Sequence, residues 1–105
     1  MIIQKITKDA LMYNSALSLT THASQRAAER AVPIAVVKMI LEYGESQNAR
    51  DGARKYALSK ASLRKLRQDF GANVSNSLSK FRKTYVVSSN GAVITVAFAH
   101  RPLFH

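Results

Sequence analysis

His22, Arg26 and Arg30 stand four residues apart in the stretch Thr21 to Arg30, so on a helix they form one stripe. Imidazole is the side chain whose proton moves near neutral pH, and the two guanidinium groups are permanent cations with a fork that suits phosphate. One proton carrier beside two cations is chemistry for handling a phosphodiester. The same spacing also arises on a solvated helix face with a stray histidine, so the stripe gains weight only from what accompanies it.

Its company is charge. The 105 residues include 16 Lys and Arg against 6 Asp and Glu, a net charge of +10. The excess is lopsided: residues 1–52 hold 6 basic and 5 acidic side chains, whereas residues 53–105 hold 10 and 1. Such a field favours a polyanion, whether nucleic acid, an anionic membrane or an acidic protein. A membrane fits least, because no segment sets a basic face against a broad bulky apolar one over many turns.

Several chemistries lack their residues. The six carboxylates (Asp9, Glu29, Glu42, Glu45, Asp51, Asp69) form no cluster in sequence, which disfavours two-metal cleavage. Three scattered histidines and no cysteine give no zinc pattern, no thiol nucleophile and no disulfide. There is no Gly-x-Ser-x-Gly elbow and no glycine-rich phosphate loop after a strand, so neither metal nor cofactor is expected. No apolar run approaches the ~20 residues of a membrane span and no signal-peptide zones open the chain, so the expectation is a soluble cytoplasmic protein. A domain cut from a longer exported protein would read the same way.

The elements that must position the stripe follow from periodicity and punctuation. Ile2 to Ile6 reads as a short strand and Asp9 to about Leu19 as a helix or irregular arm, giving an amino-terminal arm over 1–19 and one domain over 20–105. Thr20 or Thr21 caps a helix to about Arg30. Val32-Pro33 opens another, whose Ile34, Val37, Met39, Ile40 and Leu41 face the core and which Gly44 closes. Glu45 to Gly52 is polar, Arg54 to Leu58 reads as a strand, and Ser59 caps a helix from Lys60 to Phe70 closed by Gly71. Lys60, Arg64, Lys65 and Arg67 make that helix the densest positive patch. Asn73 to Ser79 reads as a loop or weak helical turn.

Phe81 to Ser89 and Ala92 to His100 flank Asn90-Gly91, the strongest short-range hairpin signal. With Ser89 opposite Ala92, one face carries Phe81, Lys83, Tyr85, Val87, Ile94, Val96, Phe98 and His100, and its bulk predicts that helices cover it. The open face then carries Val86 and Val93 among others, with Arg82, Thr84 and Thr95 close together as a cation and two hydroxyls. Threonines on a solvated strand are also there for β-propensity alone.

The helix His22-Ala23-x-x-Arg26-x-x-x-Arg30, the Val32-Pro33-Ile34 helix ending at Gly44, and the hairpin Tyr85-Val86-Val87 to Val93-Ile94-Thr95-Val96 together resemble a small bacterial family of uncharacterised RelE-like proteins. That family is grouped with the barnase, EndoU, colicin and RelE ribonucleases. The likeness covers residues 20–100. It implies an α+β fold with helices on one side of a small, mainly antiparallel sheet whose other face binds RNA, and it places the family's helix His and Arg and final-strand Thr on His22, Arg26 and Thr95. Two departures stand out: Ala31-Val32-Pro33 where the family usually has a glycine, and a long arm before Thr20.

Metal-free RNA cleavage needs a base for the 2′-OH proton, an acid for the departing 5′ oxygen and cations around the charged phosphorane. His22 suits the acid or base, Arg26 and Arg82 the phosphate clamps, and Thr95 a donor to a non-bridging oxygen. Arg30, Lys60, Arg64, Lys65, Arg67 and Thr84 would hold the strand. The second proton carrier stays open among His100, Tyr85 and Tyr56; His105 is expected to be disordered. The expectation is a metal-independent endoribonuclease toxin acting on RNA and restrained by an acidic antitoxin or immunity protein. The alternatives are a non-catalytic nucleic-acid-binding module and a mobile-element interaction protein on the same scaffold.

Overall fold

The computed structural model describes residues 18–105 of the chain; the expected Ile2–Ile6 strand and most of the Asp9–Leu19 arm lie outside them. Among the described residues the fold is α+β, with four helices and an open five-stranded sheet. Ser18–Leu19 (β1) pairs in parallel with Ala92–Val93, so the end of the expected helix or irregular arm is extended. Thr21–Glu29 (α1) begins where the Thr20 hydroxyl oxygen accepts the Ala23 N–H at 3.1 Å. Ala23 and Ala27, four residues apart and both buried, let this helix lie close to the sheet.

Beyond α1 the chain turns through Ala31 at φ 53, a left-handed conformation that disfavours a β-carbon. Ala31→Gly removes the strain but loosens the unfolded chain, and the net is an expected gain of about 0.5 kcal/mol, measured by urea denaturation. Ala31→Val is expected to lose stability in the same measurement.

Ile34–Tyr43 (α2) buries Val36, Val37 and Ile40. Gly44 closes it at φ −70, so the residue is not required for a left-handed cap. It is required for space: a β-carbon there would overlap the Ile40 carbonyl oxygen and lie 2.8 Å from that of Ala57. The polar run after it contains an unexpected strand, Glu45–Asn48 (β2), followed by a 3-10 turn, Arg50–Gly52, and by Arg54–Ala57 (β3). Arg54 helps hold this pair: its guanidinium donates to Ser46 Oγ at 2.7 and 3.2 Å and to Asn48 Oδ1 at 2.8 Å.

Lys60–Phe70 (α3) starts at a reciprocal Ser59–Ser62 capping box. Ala72–Ser79 (α4) is a two-turn helix where a loop or weak helical turn is expected. Its Ser/Asn-rich sequence is weakly helical by itself, but Leu78 is buried and Ser75 Oγ donates to the Leu63 carbonyl at 2.9 Å, so tertiary contacts with α3 supply what propensity does not. Tyr43 donates its phenolic proton to Asp69 Oδ2 at 2.7 Å, tying α2 to α3. Burial first, and then that bond, push the phenol's pKa well above its usual range.

Thr84–Ser89 (β4) and Ala92–Phe98 (β5) form the expected hairpin, with Asn90 and Gly91 both at positive φ and Ser89 opposite Ala92. The sheet order is β1-β5-β4-β3-β2, antiparallel except for β1. The faces differ from expectation. Val87 pairs with Thr95 but Ser88 pairs with Val93, which leaves Ile94 as an extra residue and makes a bulge. Val93 and Val96 therefore join Val86 in one core cluster with Ala23, Ala27, Val37, Ile40, Leu66 and Leu78. Thr84, expected on the open face, is 2% exposed. Tyr85, expected under the helices, lines the opposite side. Apolar bulk misidentified the face because Tyr85, Ile94 and Phe98 are not fully buried, while valines suffice against an alanine-faced helix.

The last residues fold back. Arg82 Nη2 donates to the Phe104 carbonyl at 2.6 Å, and the Lys60 N–H, one of the groups a helix start leaves without a partner, donates to the His105 carbonyl at 2.9 Å. The expected disorder of His105 is thus corrected by two hydrogen bonds to this segment.

Candidate functional site

Strand pairing lays Gln47, Lys55, Val87 and Thr95 side by side in a row across β2, β3, β4 and β5, and Glu45, Ala57, Tyr85 and Ala97 in the row beside it. Both rows face away from the core cluster. The sheet and the 3-10 turn enclose a groove of about 440 Å³, in which Arg50 and Asp51 come from the turn, Lys55 from β3, Tyr85 from β4 and Thr95 from β5. The Lys55 ammonium sits 4.6 Å from the centre of the Tyr85 ring. Asp51 reaches the rim from a backbone at φ 55, a conformation that few residues besides glycine, asparagine and aspartate adopt readily.

The groove thus brings a hydroxyl, a phenol, an ammonium, a guanidinium and a carboxylate to one open face. Of the four residues expected to be catalytic it contains Thr95 alone. His22 is exposed on the first turn of α1, on the layer that packs on the other side of the sheet. Arg26 follows it and pairs with Glu29 at 2.7 Å. Arg30 lies with its guanidinium 6.0 Å from the Phe98 ring centre. Arg82 is engaged with Phe104, and its Nε is buried without a hydrogen-bond partner. The stripe on α1 is real as a helix face, but the structure does not bring it to Thr95.

Sequence reasoning missed Lys55, Arg50 and Asp51, which lie in a stretch without a motif. It had Tyr85 as a candidate proton carrier on the wrong face. The signal that could have found Lys55 is strand pairing: Lys55 stands opposite Val87 and Val87 opposite Thr95, which sets it in the Thr95 row.

A second concavity, about 240 Å³, runs between α3 and α4 and is lined by Lys60, Leu63, Arg64, Arg67 and Ser75. Lys60, Arg64 and Arg67 fall at i, i+4 and i+7, one face of α3, and all three are exposed. Lys65, also exposed, does not line it. Among the described residues the single ion pair is Arg26–Glu29, so these cations carry no carboxylate partner. Among the same residues no group of three or more His, Asp or Glu could hold a metal, and no helix is long and apolar enough to cross a membrane. No family model, curated protein or solved structure matches this chain.

Proposed function

We propose that the chain is a RelE-like, metal-independent endoribonuclease domain whose RNA strand lies in the sheet groove. The observation that carries this reading is the shared position of Thr95, Tyr85, Lys55 and Asp51 on one open face. The Asp51 carboxylate accepts the 2′-OH proton, the 2′ oxygen attacks phosphorus, and the Tyr85 phenol gives its proton to the departing 5′ oxygen, leaving a 2′,3′-cyclic phosphate and a 5′-OH. Lys55 and Arg50 offset the charge of the phosphorane, and the Thr95 hydroxyl donates to a non-bridging oxygen. Helices on one face of a mainly antiparallel sheet also agree with what the RelE-like resemblance implies. A toxin of this kind would act on cellular RNA in the cytoplasm and need an acidic antitoxin or immunity protein.

The test is incubation of the purified protein with RNA in the presence of a chelator, with the product ends analysed for cyclic phosphate. Wild type and His22→Ala are expected to cleave, whereas Tyr85→Phe and Lys55→Ala are not. Loss in His22→Ala with retention in Tyr85→Phe would move the site to α1 and overturn the assignment of roles.

A second reading, a non-catalytic RNA-binding module, is favoured by the α3–α4 groove. Each phosphate neutralised on a single strand adds a salt slope of about 0.7, or roughly five-fold in affinity near 0.1 M salt. Arg64→Ala with Arg67→Ala is therefore expected to weaken oligouridine binding by roughly 25-fold and to flatten the salt slope by about 1.4, measured by fluorescence anisotropy. If binding shows this dependence and no cyclic phosphate forms, the module reading holds and the cleavage reading fails.

A further inference from the structure

We propose that the cleft where the carboxyl-terminal end of α1 meets the ends of β4 and β5 is a docking site for an acidic, amphipathic segment of a partner protein. The inference stands apart from the RNA-cleavage reading, because Thr84 and Phe98 lie on the opposite face of the sheet from Tyr85 and Thr95.

The cleft has a volume of about 500 Å³. Ala31, Phe81, Phe98 and Ala99 give it an apolar lining, and Lys80 and Lys83 stand at its rim. Phe98 is 52% exposed, more than any other large apolar side chain among the described residues. Arg30 and Lys80 hold their cations 6.0 and 5.6 Å from the Phe98 and Phe81 ring centres. No carboxylate lines the cleft, and none pairs with these three cations among the described residues. An exposed aromatic inside a ring of unneutralised cations fits an occupant with an apolar side chain to insert and carboxylates to surround it.

RNA fits less well. One face of each phenylalanine ring already has a cation over it, which leaves less aromatic surface for base stacking. The only hydroxyl lining the cleft belongs to Thr84, which is buried. Charge also disfavours a second copy of the chain, which brings +10 to a cationic rim.

The experiment uses the full chain and a fluorescein-labelled peptide of alternating glutamate and leucine, followed by fluorescence polarisation. A glutamate/serine peptide and an oligouridine serve as competitors. The glutamate/leucine peptide is expected to bind, and both Phe98→Ser and the double variant Lys80→Glu, Lys83→Glu to weaken it by roughly ten-fold or more, with Phe98→Leu restoring affinity. The serine peptide is expected to compete at least ten-fold less well. Equal competition by the serine peptide, or unchanged affinity in Phe98→Ser, overturns the proposal. Displacement by oligouridine that disappears in Phe98→Ser makes the cleft an RNA site and overturns it as well. Should Phe98→Ser lose its native circular dichroism, the lysine double variant decides, since both lysines are exposed.

Discussion

Tyr85→Phe is expected to lower the rate of RNA cleavage by roughly 10²- to 10⁴-fold, the range for loss of one acid–base group, with little change in RNA affinity. The substitution isolates one O–H. The ring stays, and with it the contact to the Lys55 ammonium at 4.6 Å, so folding and electrostatics of the groove are preserved. Single-turnover kinetics separate the two possibilities: a proton donor affects the chemical step, whereas a stacking platform affects binding. Asp51→Asn is the companion experiment, because asparagine tolerates the left-handed backbone at φ 55 and removes the proton acceptor alone. The double variant should lose far less than the product of the single losses if the two groups serve one step. Cleavage by Tyr85→Phe at the wild-type rate would remove the phenol from the mechanism.

The largest expected effect on stability comes from a residue outside every groove. Gly44→Ala sets a β-carbon against two backbone carbonyl oxygens, those of Ile40 and Ala57, and neither can move as a flexible side chain would. Relief requires α2 to separate from β3, which would disturb Ile40, a fully buried residue of the core. The expected cost is roughly 3 kcal/mol, which for a domain of this size lowers the melting temperature by on the order of 15 °C. Thermal unfolding followed by circular dichroism measures it. A fall of a degree or two would mean that the helix end has slack.

The helices were largely legible because their punctuation is explicit. Thr20, Pro33, Ser59 and Gly71 each mark an end by local chemistry, and the structure keeps those ends within a residue or so. Asn90-Gly91 fixed the hairpin in the same way. What resisted reading depends on partners. Glu45–Asn48 is extended because β3 pairs with it, and α4 is helical because α3 receives Leu78 and Ser75; neither segment states this in its own composition. The site suffered from the same limit. A single unpaired residue at position 94 moved Val96 and Phe98 to the face that Thr84 and Val86 share and Thr95 to the face of Tyr85, so the apolar bulk read from strict alternation was assigned to the wrong side. The α1 stripe was a correct helix pattern whose neighbours could not be known before the sheet was placed.

That extra residue gives β5 a tolerance that the rest of the strand does not have. If Ile94 were deleted, Val93 and Thr95 would become consecutive opposite Ser88 and Val87, and ordinary alternation would still send Val93 and Val96 inward and Thr95 outward. A deletion at Ala97 instead would turn Phe98 from one face to the other. Position 94 is therefore the place in β5 where the chain can change length while its two surfaces keep their identities.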